Sequence, residues 1–329
     1  MAKIGLLDVD GHHFPNIPLM KLSAYHKTLG DQVEWYNPLV GFVEKYDIVY
    51  MSRVFSDAYT KDYVFPIYAD RVVKGGTGYA IINENGREVY HPEADISLPY
   101  EVEHIYPDYS LYGYINNTAY GFLTRGCPYG YDTNNPQRKH VHGYCHVSMK
   151  EGFCSHKVAD LEEFWRGQKN IVLCDPNILA CKDHMDLLEQ LAQSHARINF
   201  NQGLDIRLID DNNLEIIRKM KLKSIHFAFD RYEEKGLIVP KLQAFKEKTG
   251  YDKDHGAVMV YILCNFDTTL EQDIERIQIC RSLNFSPYPM IYDKKNADPV
   301  YRKLQRWCNN NIFWTTPTFE QYVHGRVKK

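Results

Sequence analysis

Short apolar runs alternate with segments of helical spacing along almost the whole chain, and this alternation constrains the fold most. Lys3–Val9, Gln32–Tyr36, Tyr46–Met51 and Arg71–Val73 read as strands, with a helical pattern over Ile17–Leu29 that stops at Gly30. Further on, Ala119–Leu123, Ile171–Cys174, Ile198–Asn201, Ser224–Phe229, Val258–Cys264 and Tyr288–Tyr292 read as strands. Helical patterns lie between or beside them at Leu161–Gln168, His184–His195, Asn213–Met220, Val239–Lys248 and Leu270–Leu283. Ile312–Tyr322 reads as a further strand and tail. Continuous apolar runs such as YDIVYM suit strands buried on both faces. Strand–helix alternation predicts parallel sheets with right-handed crossovers, an α/β class.

The polar stretch from Asn85 to Asn117, rich in Tyr and Pro, breaks the pattern and suggests a boundary near residue 105. The expectation is a Rossmann-like parallel-sheet domain over 1–105, then a second α/β domain over 106–329. Six strands in the second part are too few for a closed eight-fold barrel. They fit a partial barrel or an open doubly wound sheet.

Composition narrows the class further. The chain has 329 residues, 44% hydrophobic and 25% charged, which supplies a sizeable core and argues against disorder. With 39 Lys+Arg against 42 Asp+Glu, no global positive field indicates nucleic acid or anionic lipid as a partner. No apolar run approaches the ~18 residues of a membrane span, and the N-terminus lacks the apolar core of a secretory signal. The reading is a cytoplasmic protein with no membrane partner. In that compartment eight cysteines point to buried thiols, metal ligands or catalytic thiols rather than disulfides.

Three of the eight, Cys127, Cys145 and Cys154, fall within 28 residues. The first follows a strand directly, in Tyr120-Gly-Phe-Leu-Thr-Arg-Gly-Cys127-Pro128. His140, His142, His146 and His156 lie in the same stretch. Clustered sulfur donors suit a soft metal or an iron–sulfur site, and the histidines also admit zinc.

Gly121 to Pro128, followed by Gly143-Tyr144-Cys145-His146-Val147, resembles the cluster loop of radical S-adenosylmethionine enzymes. Tyr261 to Asp273 looks like that superfamily's fifth strand with its turn and acidic helix start. The resemblance covers about residues 118–295, and the first domain looks like the cobalamin-binding-type domain of one subgroup. It implies a partial (β/α)6 TIM-like barrel and a 4Fe–4S cluster whose open iron is chelated by S-adenosylmethionine. It further implies reductive cleavage to a 5′-deoxyadenosyl radical acting on an unknown substrate, and an electron donor such as a flavodoxin or ferredoxin.

The spacing departs from the family's C-x3-C-x2-C, reading C-x17-C-x8-C here, with His142 in the place of the middle cysteine. Cys127, Cys145 and Cys154 are the expected ligands, with His142 as the alternative third. Asp175, Asn177, Gln202, Asp205, Arg207 and Asp230 follow strands at the level where the family contacts its cofactor. Turn formation, an Asp205–Arg207 ion pair and helix capping are the structural alternatives for these residues. No catalytic residue is assigned. Asp10 and His12 fit the family's cobalamin pattern, but Pro15 replaces its glycine, so cobalamin is not expected. The rival reading is a non-catalytic zinc-binding or interaction protein on the same fold.

Overall fold

Strands β1 (Lys3–Asp8), β2 (Gln32–Trp35), β3 (Tyr46–Ser52) and β4 (Ala69–Gly75) pair in parallel with the order β2-β1-β3-β4. This computed structural model describes residues 1–84, 87–115, 117–130, 144–309 and 311–323. The chain divides into two compact units, Met1–Lys169 and Asn170–Lys329, so residue 105 falls inside the first.

One face of the first sheet packs Ile4 and Leu6 against Leu19 and Leu22 of the helix Ile17–Thr28. The opposite face buries Leu7, Tyr46, Val49 and Met51. Each fully buried side chain of this size contributes about 1.5–3 kcal/mol. Asn16 caps the helix by accepting from Leu19 N at 3.2 Å, and Pro18 suits its first turn. Strand order reverses between β1 and β3, so their carboxyl ends border a crevice. Asp10 fills part of that edge by accepting from Val54 N and Phe55 N. Tyr112 Oη donates to Asp8 at 2.6 Å, and the His12 ring meets Trp35 edge-on at 4.2 Å. Gly76 has φ +96°, and a Cβ there would strike the Arg53 carbonyl. Close packing of the loop after β3 therefore accounts for a glycine in Gly75-Gly76-Thr77-Gly78.

An antiparallel pair, β5 (Ile81–Glu84) and β6 (Arg87–Tyr90), leads into the polar stretch, which continues in short helical turns. Next come β7 (Thr118–Gly121), β8 (Thr124–Arg125) and β9 (His156–Lys157), of which β8 and β9 pair antiparallel.

The remaining strands are β10 (Asn170–Leu173), β11 (Arg197–Leu204), β12 (Lys221–Ala228), β13 (Val258–Cys264) and β14 (Ser286–Ile291). The second sheet has six strands in the order β14-β13-β12-β11-β10-β7. The pairs from β10 to β14 are parallel. Order in space follows order in sequence, with no reversal. Crossovers of one hand then place the connecting helices on one face, which excludes the doubly wound alternative for this sheet.

Side-chain alternation agrees. Ile198, Phe200, Ile225, Phe227, Val258, Val260 and Ile262 are buried on one face. The other face presents Asn199, Ser224, His226, Tyr261 and Tyr288. Ser224 Oγ donates to Asn199 Oδ1 at 2.6 Å, and Tyr261 Oη to the Asn201 carbonyl at 3.1 Å.

Two expectations are corrected, and one helix was not expected. Leu161–Gln168 is no helix: a single 3-10 turn, Leu161–Glu163, follows the Asp160 capping box. The chain then turns at Gly167, where φ is +90°. Ile312–Tyr322 is no strand; it begins with the short helix Ile312–Thr315. Before it lies an unforeseen helix, Pro299–Cys308, capped by Asp298 and burying Tyr301, Leu304, Trp307 and Cys308.

Candidate metal and cofactor sites

The β8–β9 ladder pairs Thr124 with Lys157 and Arg125 with His156. Cys127 lies two residues after Arg125, and Cys154 two before His156. The ladder ends before them, but the two segments stay close. Cys127 N donates to the Gly152 carbonyl at 3.1 Å. Gly126 has φ +85°, and a Cβ on it would strike the Cys154 carbonyl, so this approach requires glycine.

Cys145 precedes the helix Val147–Glu151, whose Ser148 is fully buried. Ser148 Oγ accepts from Gly130 N at 2.7 Å and donates to the Cys127 carbonyl, tying the helix to the Cys127 loop. Arg125 pairs with Glu151 at 2.9 Å, and Glu151 also accepts from Gly126 N at 3.3 Å. Cys127 and Cys145 are half-buried and Cys154 is exposed. Cys154 Sγ donates to the Ser155 carbonyl at 3.6 Å.

His146 adds a nitrogen donor. Burial holds its imidazole below the ordinary histidine pKa, with the charge of Glu88 opposing, and its Nδ1 is buried without a hydrogen-bond partner among the described residues. His142, the alternative third ligand, lies outside the described residues. Among the described residues, no three His, Cys, Asp or Glu side chains form a group placed to hold a metal ion. The donor chemistry suits one: three thiols held on one stitched segment, and a neutral imidazole nitrogen left unsatisfied beside Cys145.

In the second unit the expected cofactor residues stand at or near the carboxyl ends of parallel strands, the usual ligand side. Asp175 and Asn177, after β10, are each only 4% exposed. Asn177 Nδ2 reaches Asp205 Oδ2 at 3.4 Å. Gln202 lies within β11, exposed, where the register with β12 shifts between Phe200 and Leu204.

Asp205 and Arg207 form the ion pair that was the structural alternative. Arg207 Nε and Nη2 grip the two carboxylate oxygens at 2.8 and 2.9 Å, and Nη1 reaches Glu234 at 3.0 Å. Although burial pushes the other way, these two carboxylates raise the guanidinium pKa. Asp230 is buried after β12 and accepts from Leu263 N at 2.9 Å, joining the ends of β12 and β13.

Two features were not anticipated. His226, on the polar face of the sheet, bonds the Phe200 carbonyl through Nδ1 at 2.7 Å and stacks on Tyr261 at 5.1 Å. Burial lowers its pKa and favours the neutral ring, with the Phe200 hydrogen bond opposing. Its signal in the sequence is a polar residue two after Ser224 within an otherwise apolar run. The other feature is the fully buried Arg276–Asp273 pair. Arg276 donates to the Asp230 carbonyl at 2.7 Å and the Leu263 carbonyl at 2.8 Å, and Asp273 accepts from Asn265 N at 3.2 Å. The pair locks the loops that end β12 and β13.

No protein-family model matches the chain, and no curated protein matches it significantly. None of the described helices is long and apolar enough to cross a membrane.

Proposed function

We propose that the chain is an iron–sulfur enzyme of the radical S-adenosylmethionine type, cytoplasmic and supplied with electrons by a flavodoxin- or ferredoxin-like donor. The observation that carries this reading is the close approach of the Cys127 and Cys154 segments, with Gly126 packed on the Cys154 carbonyl and the helix after Cys145 tied to the Cys127 carbonyl through Ser148. Sequential order in the six-stranded sheet, with a polar face of Asn199, Ser224, His226 and Tyr261, supports a partial (β/α)6 barrel whose interior is that face.

Cys127, Cys145 and Cys154 would hold the cluster, and Asp175, Asn177 and Asp230 would bind S-adenosylmethionine at the strand ends. Arg207 bridges Asp205 and Glu234 and fixes the loop after β11. Bound together, cluster and S-adenosylmethionine supply one-electron cleavage of a sulfonium to a carbon radical. This chain contributes orientation and a water-poor surface. Anaerobic incubation of reconstituted protein with dithionite and S-adenosylmethionine tests the reading. Formation of 5′-deoxyadenosine, lost in Cys127→Ala, supports it; no cleavage by protein carrying a full cluster contradicts it.

The unsatisfied Nδ1 of His146 favours one other reading, zinc held by the three cysteines and this histidine in a non-catalytic protein. Metal analysis of protein purified without added iron separates the two.

A further inference from the structure

The helix Pro38–Val43 inverts the usual amphipathic arrangement. Its sequence is PLVGFV, and Gly41 alone is buried, packed beside Tyr46 and Tyr68. Leu39 is 79% exposed, Phe42 73% and Val43 86%. A helix apolar all round normally lies inside a larger body. The neighbouring segment before β4 continues the surface, with Val64 at 82% and Phe65 at 67% exposure. The segments are linked: Phe42 meets Tyr68 at 5.4 Å, Tyr68 N donates to Tyr36 Oη at 3.0 Å, and Tyr36 meets Tyr63, the neighbour of Phe65, at 6.3 Å. Single exposed apolar residues need no explanation, but six on one short helix and the segment linked to it do.

We propose that this face is the contact between two copies of the chain, related by a two-fold axis. Leu39, Val40, Phe42, Val43, Val64 and Phe65 together expose on the order of 800 Å², about what a stable interface takes from each partner. The rim carries both signs: Glu44, Lys45 and Asp70 are exposed, and Lys45 pairs with Asp70 at 3.7 Å. A surface that meets itself needs mixed charge, so that unlike charges can face each other across the axis. An anionic membrane would call for a basic rim, which Glu44 and Asp70 spoil. The inference stands apart from the proposed chemistry and survives its failure.

The test is the mass of the full chain in solution, measured by light scattering on a sizing column across a range of concentrations. The wild-type protein is expected at twice the 38.5 kDa chain mass. Phe42→Asp with Val43→Asp should weaken association at least about 30-fold, as expected for loss of central apolar anchors. Because both side chains are exposed within one copy, the circular dichroism spectrum should stay unchanged, while the melting temperature should fall only by the stability that association supplied. Leu39→Asp with Phe65→Asp should act alike. A monomer at every concentration overturns the proposal, as does a dimer that survives both double variants. Sedimentation of wild-type monomer with phosphatidylcholine–phosphatidylserine vesicles would also overturn it and assign the face to a membrane surface.

Discussion

Cys127 and Cys154 lie on adjacent segments of chain just past the Arg125–His156 pair that ends the β8–β9 ladder: Cys127 N donates to the Gly152 carbonyl at 3.1 Å, and Gly126 packs against the Cys154 carbonyl. The ladder is only two pairs long, yet it turns a separation of 27 residues into a local relationship. Loop closure is then supplied by backbone hydrogen bonds, Gly126 and the Ser148 tether rather than by the metal alone.

This relationship predicts an order of effects among the thiols. Cys127→Ser and Cys154→Ser should each abolish iron incorporation, while Cys280→Ser, a change to a thiol buried in the helix Leu270–Ser282, should leave it intact. Iron content after identical anaerobic reconstitution is the measurement. Full loading of Cys154→Ser together with loss in His142→Ala would move the third ligand to His142.

Gly126→Ala should mimic a ligand loss without touching a ligand. The added methyl meets the Cys154 carbonyl, and φ +85° disfavours alanine by about 1–2 kcal/mol. The Cys127 and Cys154 segments should separate, lowering iron loading and speeding alkylation of Cys154 by iodoacetamide. Unchanged alkylation would show that the approach of the two segments does not depend on this glycine.

The Arg276–Asp273 pair should govern the stability of the second unit. Removing one partner, as in Arg276→Met, leaves a buried carboxylate uncompensated and should cost about 3–5 kcal/mol. The double variant Arg276→Met with Asp273→Leu should recover part of that loss. Urea unfolding followed by tryptophan fluorescence distinguishes them, and a double variant worse than the single one would contradict the account.

Acid should weaken the protein through His226. Burial lowers its folded pKa below the unfolded value of about 6.5, so the unfolded chain binds the extra proton first. The contribution of His226 to stability is therefore complete above about pH 7 and is lost as pH falls through 6.5 toward its lowered folded value. His226→Phe should flatten the pH dependence of the melting temperature between pH 7 and 5, with His146 contributing a remainder of the same sign. An unchanged slope in His226→Phe would refute the assignment.

Much of this arrangement was legible in the sequence because burial on both faces leaves apolar runs. Ile171, Ile198, Ile225 and Val258 mark their strands, and Asn16, Pro18 and Gly30 mark the ends of the first helix region. Pro299–Cys308 was equally readable from Tyr301, Leu304, Trp307 and Cys308 at helical spacing, but its many basic residues masked the stripe. Arg276 was invisible in principle. A buried arginine in a helix reads as a solvated one until the carbonyls of Asp230 and Leu263 are brought to it by the sheet. The approach of the Cys127 and Cys154 segments was also hidden, because a two-residue ladder leaves no periodic signal.

The most direct test of the central claim is iron and acid-labile sulfide per chain in protein reconstituted anaerobically, with zinc measured in the same sample. The account predicts about four iron and four sulfide per chain, a brown protein, and loss of both in Cys127→Ser. A colourless protein retaining one zinc per chain, and no iron under these conditions, would contradict it.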